Sequence, residues 1–217
     1  MNSRYALAAL LVLAGSVAAC DNDPGKDKAK AQVSAPSAVA AQPTALGATT
    51  KLAFSSADGS KFSFIGAKVT RKHDGSFGTF SGAIQLVDGN PEKSAVNADI
   101  DIASIATDTD QLTGHLQTPD FFDAAKFPKA HFTSTAIRAG GEKGATHTVT
   151  GNLEMHGVTK SLSFPATIKV SGDQVDADAE FAINRKDFGL VYPGKPDDLI
   201  KDEVLIKLAI HAKKTLS

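Results

Sequence analysis

The side chains that could do chemistry in this chain of 217 residues are few and poorly arranged for it. Beyond residue 20 the sequence contains no HExxH motif, no paired metal cysteines, no phosphate-binding P-loop and no GxSxG motif. The histidines are His73, His115, His131, His147, His156 and His211. No two of them lie two or four residues apart, as the metal ligands of a strand or a helix would. Since no nucleophile stands beside an orienting base either, we predict no metal site and no enzymatic activity.

The acidic residues of one short region resemble a cation-binding loop only at first sight. They are Asp99, Asp101, Asp108 and Asp110. The region lacks the glycine and the terminal glutamate of an EF-hand, and Asp99 and Asp101 belong to the polar face of a strand. We therefore interpret them as solvated surface. The chain as a whole has 23 basic and 24 acidic residues, so it lacks the excess of positive charge that is typical of nucleic-acid-binding proteins.

Arg185 lies in the segment INRKDFGL and allows two interpretations. If the segment is a strand, Arg185 and Asp187 share one face. The arginine could then pair with Asp187, or with a carboxylate near the helical connector predicted between about Thr107 and Lys129, and fix the strand. The alternative is contact with a polar or phosphorylated ligand head group, for which a guanidinium is suited. His115 and His156 are further head-group candidates, although we favour for each a bond to a backbone carbonyl that fixes a turn.

The N-terminus predicts export. Arg4 precedes an apolar run of about a dozen residues, 6–17, which is too short to span a bilayer and typical of a secretory signal. The run ends in SVAAC, which resembles a lipobox, and Cys20 is the only cysteine of the chain. We expect residues 1–19 to be a lipoprotein signal peptide and Cys20 to carry the lipid. The alternative is an ordinary signal cut near Ala19, which would leave a free thiol.

An acylated Cys20 predicts a periplasmic protein held at a membrane. Asp21 resembles the signal for retention in the inner membrane, a rule that differs between lineages. Residues 20–49 are rich in Ala, Pro and Ser and have almost no large apolar side chain, so we predict a disordered tether. Residues 50–217 are then one domain of ordinary size.

Alternation of apolar and polar residues predicts the fold of that domain. Runs such as 96–102, 161–170, 175–183 and 204–211 alternate with period two, as strands with one dry face do. Together with weaker segments they predict an all-β fold of eight long antiparallel strands, either a sandwich or an up-and-down barrel. The chain has no Trp and only two Tyr, too few for the aromatic girdles of a membrane barrel, so the apolar faces should point inward.

An eight-stranded barrel can fill its interior with side chains or hold one slim ligand. Three of the candidate ligand contacts, Phe121, Phe122 and Phe127, lie in a short helical connector predicted between about Thr107 and Lys129, where they either plug the barrel or line its mouth. The other candidates are Phe62, Phe64, Phe80, Ile84, Val96, Ile100, Ile102, Leu162, Phe164, Ile168, Val175, Phe181, Val204, Ile206 and Leu208.

Three segments in this order and spacing, HLQTPDFFDAAKFPKAHFTS (115–134), GNLEMHGVTKSLSF (151–164) and INRKDFGL (183–190), resemble the YceI-like family of periplasmic polyisoprenoid-binding proteins. The resemblance covers about residues 51–213 and is weaker in the N-terminal third. It implies an all-β fold, an eight-stranded antiparallel lipocalin-like barrel around a long apolar ligand, such as a polyprenol, its phosphate, or the tail of a quinone. No other cofactor is expected.

Two other classes of function remain possible on the sequence alone. The first is a non-catalytic, stress-linked adaptor that fills its interior with its own side chains and binds a membrane protein through the barrel exterior. The second, which we favour least, is a hydrolase or isomerase that uses His115 or His156 with a nearby aspartate. The sequence is also compatible with a homodimer.

Overall fold

The computed structural model describes residues 22–38 and 47–215. The predicted signal peptide, Cys20 and Asp21 lie outside the described residues. The elements, in chain order, are β1 (Gln32–Ser34), β2 (Thr49–Ser55), β3 (Lys61–Ala67), β4 (Lys72–Phe77), β5 (Phe80–Val87), β6 (Asn90–Asp101), β7 (Ile105–Thr107), α1 (Asp110–Leu116), β8 (Lys129–Ala139), β9 (His147–Met155), β10 (Val158–Ser171), β11 (Gln174–Asn184), β12 (Gly194–Lys195), β13 (Asp198–Leu199) and β14 (Glu203–Lys214).

The sheet closes on itself as an antiparallel barrel. Following the hydrogen-bonded neighbours gives the order β2-β5-β6-β8-β9-β10-β11-β14, and β14 pairs again with β2 through Lys213 opposite Ala53. This closure confirms the predicted all-β, eight-stranded barrel. Successive side chains of a strand point to opposite faces of the sheet, so the apolar residues at alternate positions of each strand point into the common interior.

The N-terminal part of the barrel wall is built from short strands. Along β14, the pairing with β2 is followed by pairing with β3, and β3, β4 and β7 continue the sheet towards one end of the barrel. β2 leads through a 3-10 turn and Gly59 (φ 86°), a conformation that favours glycine, into β3, which also pairs with β14. β4 pairs with β3, and β7 pairs with β4. We call the end formed by the β3–β4 turn, α1 and residues 190–201 the mouth, and the end with the β5–β6, β8–β9 and β10–β11 turns the far end.

Residues 22–38, here called the strap, pack on the barrel. β1 pairs with β10, with Val33 opposite Leu162, and Ala31 N–H donates to the carbonyl of Ala182 in β11. Ala29 is only 3% exposed. The prediction of a disordered tether over residues 20–49 is therefore wrong for the strap.

The strap is ordered because of a gap in the barrel wall. β10 and β11 pair only from Thr167 to Ser171 and from Gln174 to Asp178, so beyond that point both strands have a free edge. An unpaired edge is a template for another strand, and the strap fills this gap by pairing with β10 and bonding to Ala182 of β11. On the inside, the rings of Phe164 and Phe181 stack at 4.3 Å across the same gap.

The predicted helical connector is present between β7 and β8. It contains α1, whose N-terminus is capped by the Thr109 side chain, which accepts a hydrogen bond from Leu112 N–H. No helix of residues 22–38 and 47–215 is long and apolar enough to cross a membrane. The interpretation of INRKDFGL as a strand is wrong at Arg185, because residues Arg185–Phe188 form a 3-10 helix that ends at Gly189.

Candidate ligand cavity

The barrel encloses a cavity of about 650 Å³. This volume falls within the range of about 300 to 1,000 Å³ that is usual for small-molecule sites. Every side chain that the sequence predicted as a ligand contact lines it except Phe127. Those that line it are Phe62, Phe64, Phe80, Ile84, Val96, Ile100, Ile102, Phe121, Phe122, Leu162, Phe164, Ile168, Val175, Phe181, Val204, Ile206 and Leu208. That they contact a ligand stays a prediction.

The wall of the cavity is apolar, and its side chains do not fill the interior of the barrel. Phe62, Phe64 and Leu208 point inward yet remain partly accessible, because they border empty space instead of neighbouring side chains. Such a wall offers dispersion and exclusion of water, with few directed hydrogen bonds. It must therefore select a ligand by girth and length.

Glycines bring some of the aromatic rings close to the barrel backbone. Phe54 lies opposite Gly82 across the β2–β5 pair, and a Cβ at Gly82 would approach Phe54 Cζ to 2.1 Å. In the same way a Cβ at Gly151 would come within 2.4 Å of Phe132 Cζ. These rings can lie against the wall only because the facing position has no side chain, and this leaves room in the centre.

The polar part of the lining is concentrated at the mouth, and the sequence analysis missed most of it. The polar lining residues there are Lys68, Arg71, His73, Thr109, Gln111, His115 and Lys195. They come from the β3–β4 turn, from α1 and from β12, which are distant in sequence. The basic run of KVTRKHDG was the only available signal, and nothing local showed that it would border the cavity.

Two carboxylates hold the β3–β4 turn in place. Asp198 accepts from Lys68 Nζ at 2.5 Å and from the Thr70 hydroxyl at 3.0 Å. The hydrogen bond from Lys68 is the main cause that lowers the pKa of Asp198. Asp108 contacts His73 Nδ1 at 2.8 Å, and this bond lowers the pKa of Asp108. The turn is thereby fixed to β13 on one side and to the start of the connector on the other.

His115 lies at the mouth and lines the cavity. Its Nε2 contacts Asp120 Oδ2 at 2.8 Å, so it pairs with a carboxylate and not, as we favoured, with a backbone carbonyl. The ring stands edge-on to Phe121, with centroids 5.0 Å apart, and to Tyr192 at 5.1 Å. Phe121 is buried and Phe122 only half-buried, so the connector both covers the mouth end and contributes a face to the cavity.

Phe127, a predicted ligand contact, and His156, a head-group candidate, do not line the cavity. For His156 the structure confirms the interpretation that we favoured, a bond to a backbone carbonyl at a turn. His156 has φ 53° in the β9–β10 turn, and its Nδ1 lies 3.2 Å from the carbonyl oxygen of Phe188. Phe127 packs its ring against His156, with centroids 5.0 Å apart, and against the Cα position of Gly157. The ring of Phe127 takes the space that a side chain at Gly157 would need, so it lies at this turn and not in the cavity.

Arg185 lines the cavity, but its guanidinium group donates hydrogen bonds to other residues of the protein. It is 4% exposed, and its Nε donates to the carbonyl of Lys201 at 3.1 Å. One terminal nitrogen donates to the carbonyl of Leu190, and the other to Asp202 Oδ1 at 3.2 Å. The partner is thus Asp202, and neither Asp187 nor a carboxylate of the connector. Burial lowers the pKa of Arg185, and the charge of Asp202 opposes that shift.

The described part of the chain contains no group of three metal-ligating side chains. A closed barrel with an apolar cavity, whose polar lining is concentrated at the mouth, belongs to the class of barrels with room for one slim apolar ligand. Residues 48–212 match the model of the YceI-like domain. The chain belongs to the YceI-like family.

Similar proteins agree with this assignment. A UPF0312 protein of Pseudomonas putida (strain GB-1) is 33% identical over 139 residues, which are 61% of this chain and 71% of that protein. The crystal structure of Burkholderia cenocepacia BcnA superposes with a TM-score of 0.63 at 27% identity, over 71% of this chain and 97% of BcnA. A polyisoprenoid binding domain from Saccharophagus degradans shares the fold, with a TM-score of 0.61 at 17% identity, over 77% of this chain and all of that domain.

Proposed function

We propose that this protein binds a long isoprenoid lipid in the barrel cavity and performs no chemistry on it. The observation that carries the proposal is the apolar cavity itself, which extends from Arg71 at the mouth to Pro91 at the far end. A slim chain fits such a space lengthwise. The polar residues at the mouth are then placed to meet a head group, which the apolar wall could not solvate.

The energetics favour this class of ligand. Burying a methylene-sized group is worth about 0.8 kcal/mol, so one isoprene unit of five carbons contributes roughly 3 to 4 kcal/mol before the costs of association. Several buried units therefore give firm binding without any hydrogen bond. Polyprenols, polyprenyl phosphates and quinone tails all offer such a chain.

We further propose that the protein works in the periplasm, held to a membrane through acylated Cys20. The support is the short apolar run before SVAAC and the absence of other cysteines in the sequence. Two acyl chains anchor a protein stably, whereas one does so only marginally. Asp21 favours the inner membrane.

The cavity argues against the adaptor as the main function. That alternative requires an interior filled by the protein's own side chains, whereas the barrel leaves about 650 Å³ open. An adaptor that works through the barrel exterior has no need of an apolar cavity. No particular surface contact of the described residues favours it.

Native mass spectrometry of protein purified from its own source tests the proposal. We expect a population with a non-covalent ligand, and extraction should identify a chain built of isoprene units. Its head group would separate a polyprenol from a phosphate or a quinone. A folded protein that carries no lipid, or only phospholipid, would contradict isoprenoid binding.

A further inference from the structure

Exposed large apolar side chains of the described residues occur only at the mouth. They are Val69, Val191 and Leu199, which are 51%, 62% and 49% exposed. Single exposed apolar residues need no explanation, but their restriction to one end of the barrel does. We call these three residues the mouth patch.

The mouth patch borders the opening of the cavity. Each of its members follows or precedes a residue that lines the cavity, namely Lys68, Leu190 or Ile200. Val69 and Leu199 are direct neighbours, because Val69 N–H donates to the carbonyl of Leu199 at 3.1 Å. An apolar rim is thus continuous with the apolar interior.

The N-terminal strap begins at the same place. The side-chain amide of Asn22 donates to the carbonyl of Val69 at 2.9 Å. Cys20 precedes Asn22 by two residues, and two residues span at most about 7 Å of extended chain. An acyl group on Cys20 would therefore enter the bilayer close to the mouth.

Charge adds little to this contact. Two basic residues beside the rim are already paired, Lys68 with Asp198 and Arg71 with Asp108. Lys195 and Asp197 are two residues apart in the sequence, and Lys201 directly precedes Asp202, so basic and acidic residues are mixed in this region. A surface with this mixture of charges would gain little from anionic lipid, so contact with a membrane should depend on the apolar side chains.

We propose that the mouth patch docks on the surface of the bilayer that carries the Cys20 anchor, so that the cavity opens towards the membrane. An isoprenoid chain then passes between bilayer and barrel without crossing water. This inference rests on the proposed anchor and extends the proposed lipid binding, because it states which end of the barrel exchanges lipid. The partner is the lipid surface itself.

The full-length acylated protein, reconstituted in vesicles of phosphatidylethanolamine and phosphatidylglycerol, tests the docking. An environment-sensitive NBD dye is attached to a cysteine introduced as Val191→Cys, since the thiol of acylated Cys20 does not react. The matched control is Glu142→Cys in the β8–β9 turn at the far end. We expect a blue shift and quenching by brominated lipid at position 191, several-fold stronger than at position 142, with little change between low and high salt.

A second variant connects docking with exchange. The triple variant V69S/V191S/L199S should keep the acyl anchor and its thermal stability. A dye attached at Lys195→Cys should lose its blue shift in this variant. The variant should also take up polyprenol from vesicles several-fold more slowly than the wild type. Equal quenching at positions 142 and 191 would overturn the docking, and so would a protein mass without acyl chains. The quenching needs no isoprenoid, so a wild-type protein that carries no lipid would refute the proposed function while leaving the docking result intact.

Discussion

The ring of Phe64 lies directly against the backbone of Gly75, its partner across the β3–β4 pair. A Cβ at position 75 would stand 2.2 Å from Phe64 Cζ, a distance at which the ring has to move. Phe64 lines the cavity, so the direction open to it is inward. The missing side chain of Gly75 therefore helps to keep the mouth end of the cavity wide.

Gly75→Ala should narrow the cavity. We expect the displaced ring to cost about 1 to 3 kcal/mol of folding free energy, as overpacked sites do, and to reduce the lipid that co-purifies. The measurements are urea unfolding and quantified lipid per protein. Gly114→Ala in α1 is the control, since Gly114 does not line the cavity and a Cβ there meets no atom within 4 Å. Equal effects of the two changes would show that the contact with Phe64 has no part in shaping the cavity.

Arg185→Lys should destabilise the fold more than it affects the ligand. A lysine cannot reach the carbonyls of Leu190 and Lys201 together, and a buried acceptor left without a donor costs about 1 to 3 kcal/mol. Unfolding by urea measures the loss. Lys186→Ala serves as control, because it removes an exposed partner of the same Asp202, worth at most about 1 kcal/mol.

The ligand content of the folded variant separates the two interpretations of Arg185. If the arginine has a structural role, the Arg185→Lys protein should carry as much lipid as the wild type. Unchanged stability with a clear loss of a phosphorylated lipid would instead assign Arg185 to the head group.

Acid should loosen the β3–β4 turn before the rest of the barrel. The pKa of Asp198 is lowered from its ordinary value of 3.8, mainly by the hydrogen bond from Lys68. Because the folded pKa lies below the unfolded one, this carboxylate stabilises the fold at pH above about 4, and its contribution is lost as the pH falls from there through the folded pKa. Hydrogen exchange at Thr70 N–H, which donates to Asp198 Oδ1, should rise over that range.

Asp198→Asn should remove this acid dependence at the turn. Asp173→Asn is the control, since Asp173 pairs with Lys214 at the far end. If exchange at Thr70 rises equally with acid in wild type and in Asp198→Asn, the carboxylate does not hold the turn.

Cys20→Ala should release the protein from the membrane and leave the barrel folded. The acyl chains would be the anchor, whereas the stability comes from the barrel core, in which Phe188, Leu52 and Ile102 are fully buried. Fractionation of cells and thermal unfolding measure the two effects. A Cys20→Ala protein that still sediments with membranes would contradict the lipobox interpretation.

The barrel could be predicted because its signal is local. Along β11 the residues Val175 and Phe181 share one parity and line the cavity, while the exposed Asp178 lies on the other face. Period-two alternation records directly which side of a strand is dry. The family segments then allowed the strands to be assembled into one barrel.

The strap and the mouth could not be predicted because their causes are tertiary. Val33 stands in a polar segment with no strand pattern, and it pairs only because β10 and β11 separate. Arg185 leaves the strand geometry because three acceptors, two of them carbonyls of the loop that follows, surround its guanidinium. Neither the pairing of the strap nor the bonding of Arg185 can be predicted from composition, since each depends on residues that only the closed barrel brings together.

Ile168→Phe should shorten or reduce the bound lipid while the fold survives. Ile168 lines the cavity from β10 and is only half-buried, so a larger ring can enter the open space at a modest cost in stability. Lys169→Phe adds the same ring to the exposed face of the same strand and is the control. Mass spectrometry of co-purified lipid, with thermal unfolding, measures both. Because an apolar wall selects by space, unchanged lipid amount and chain length in folded Ile168→Phe would mean that the interior is not the binding site, and the adaptor function would then be preferred.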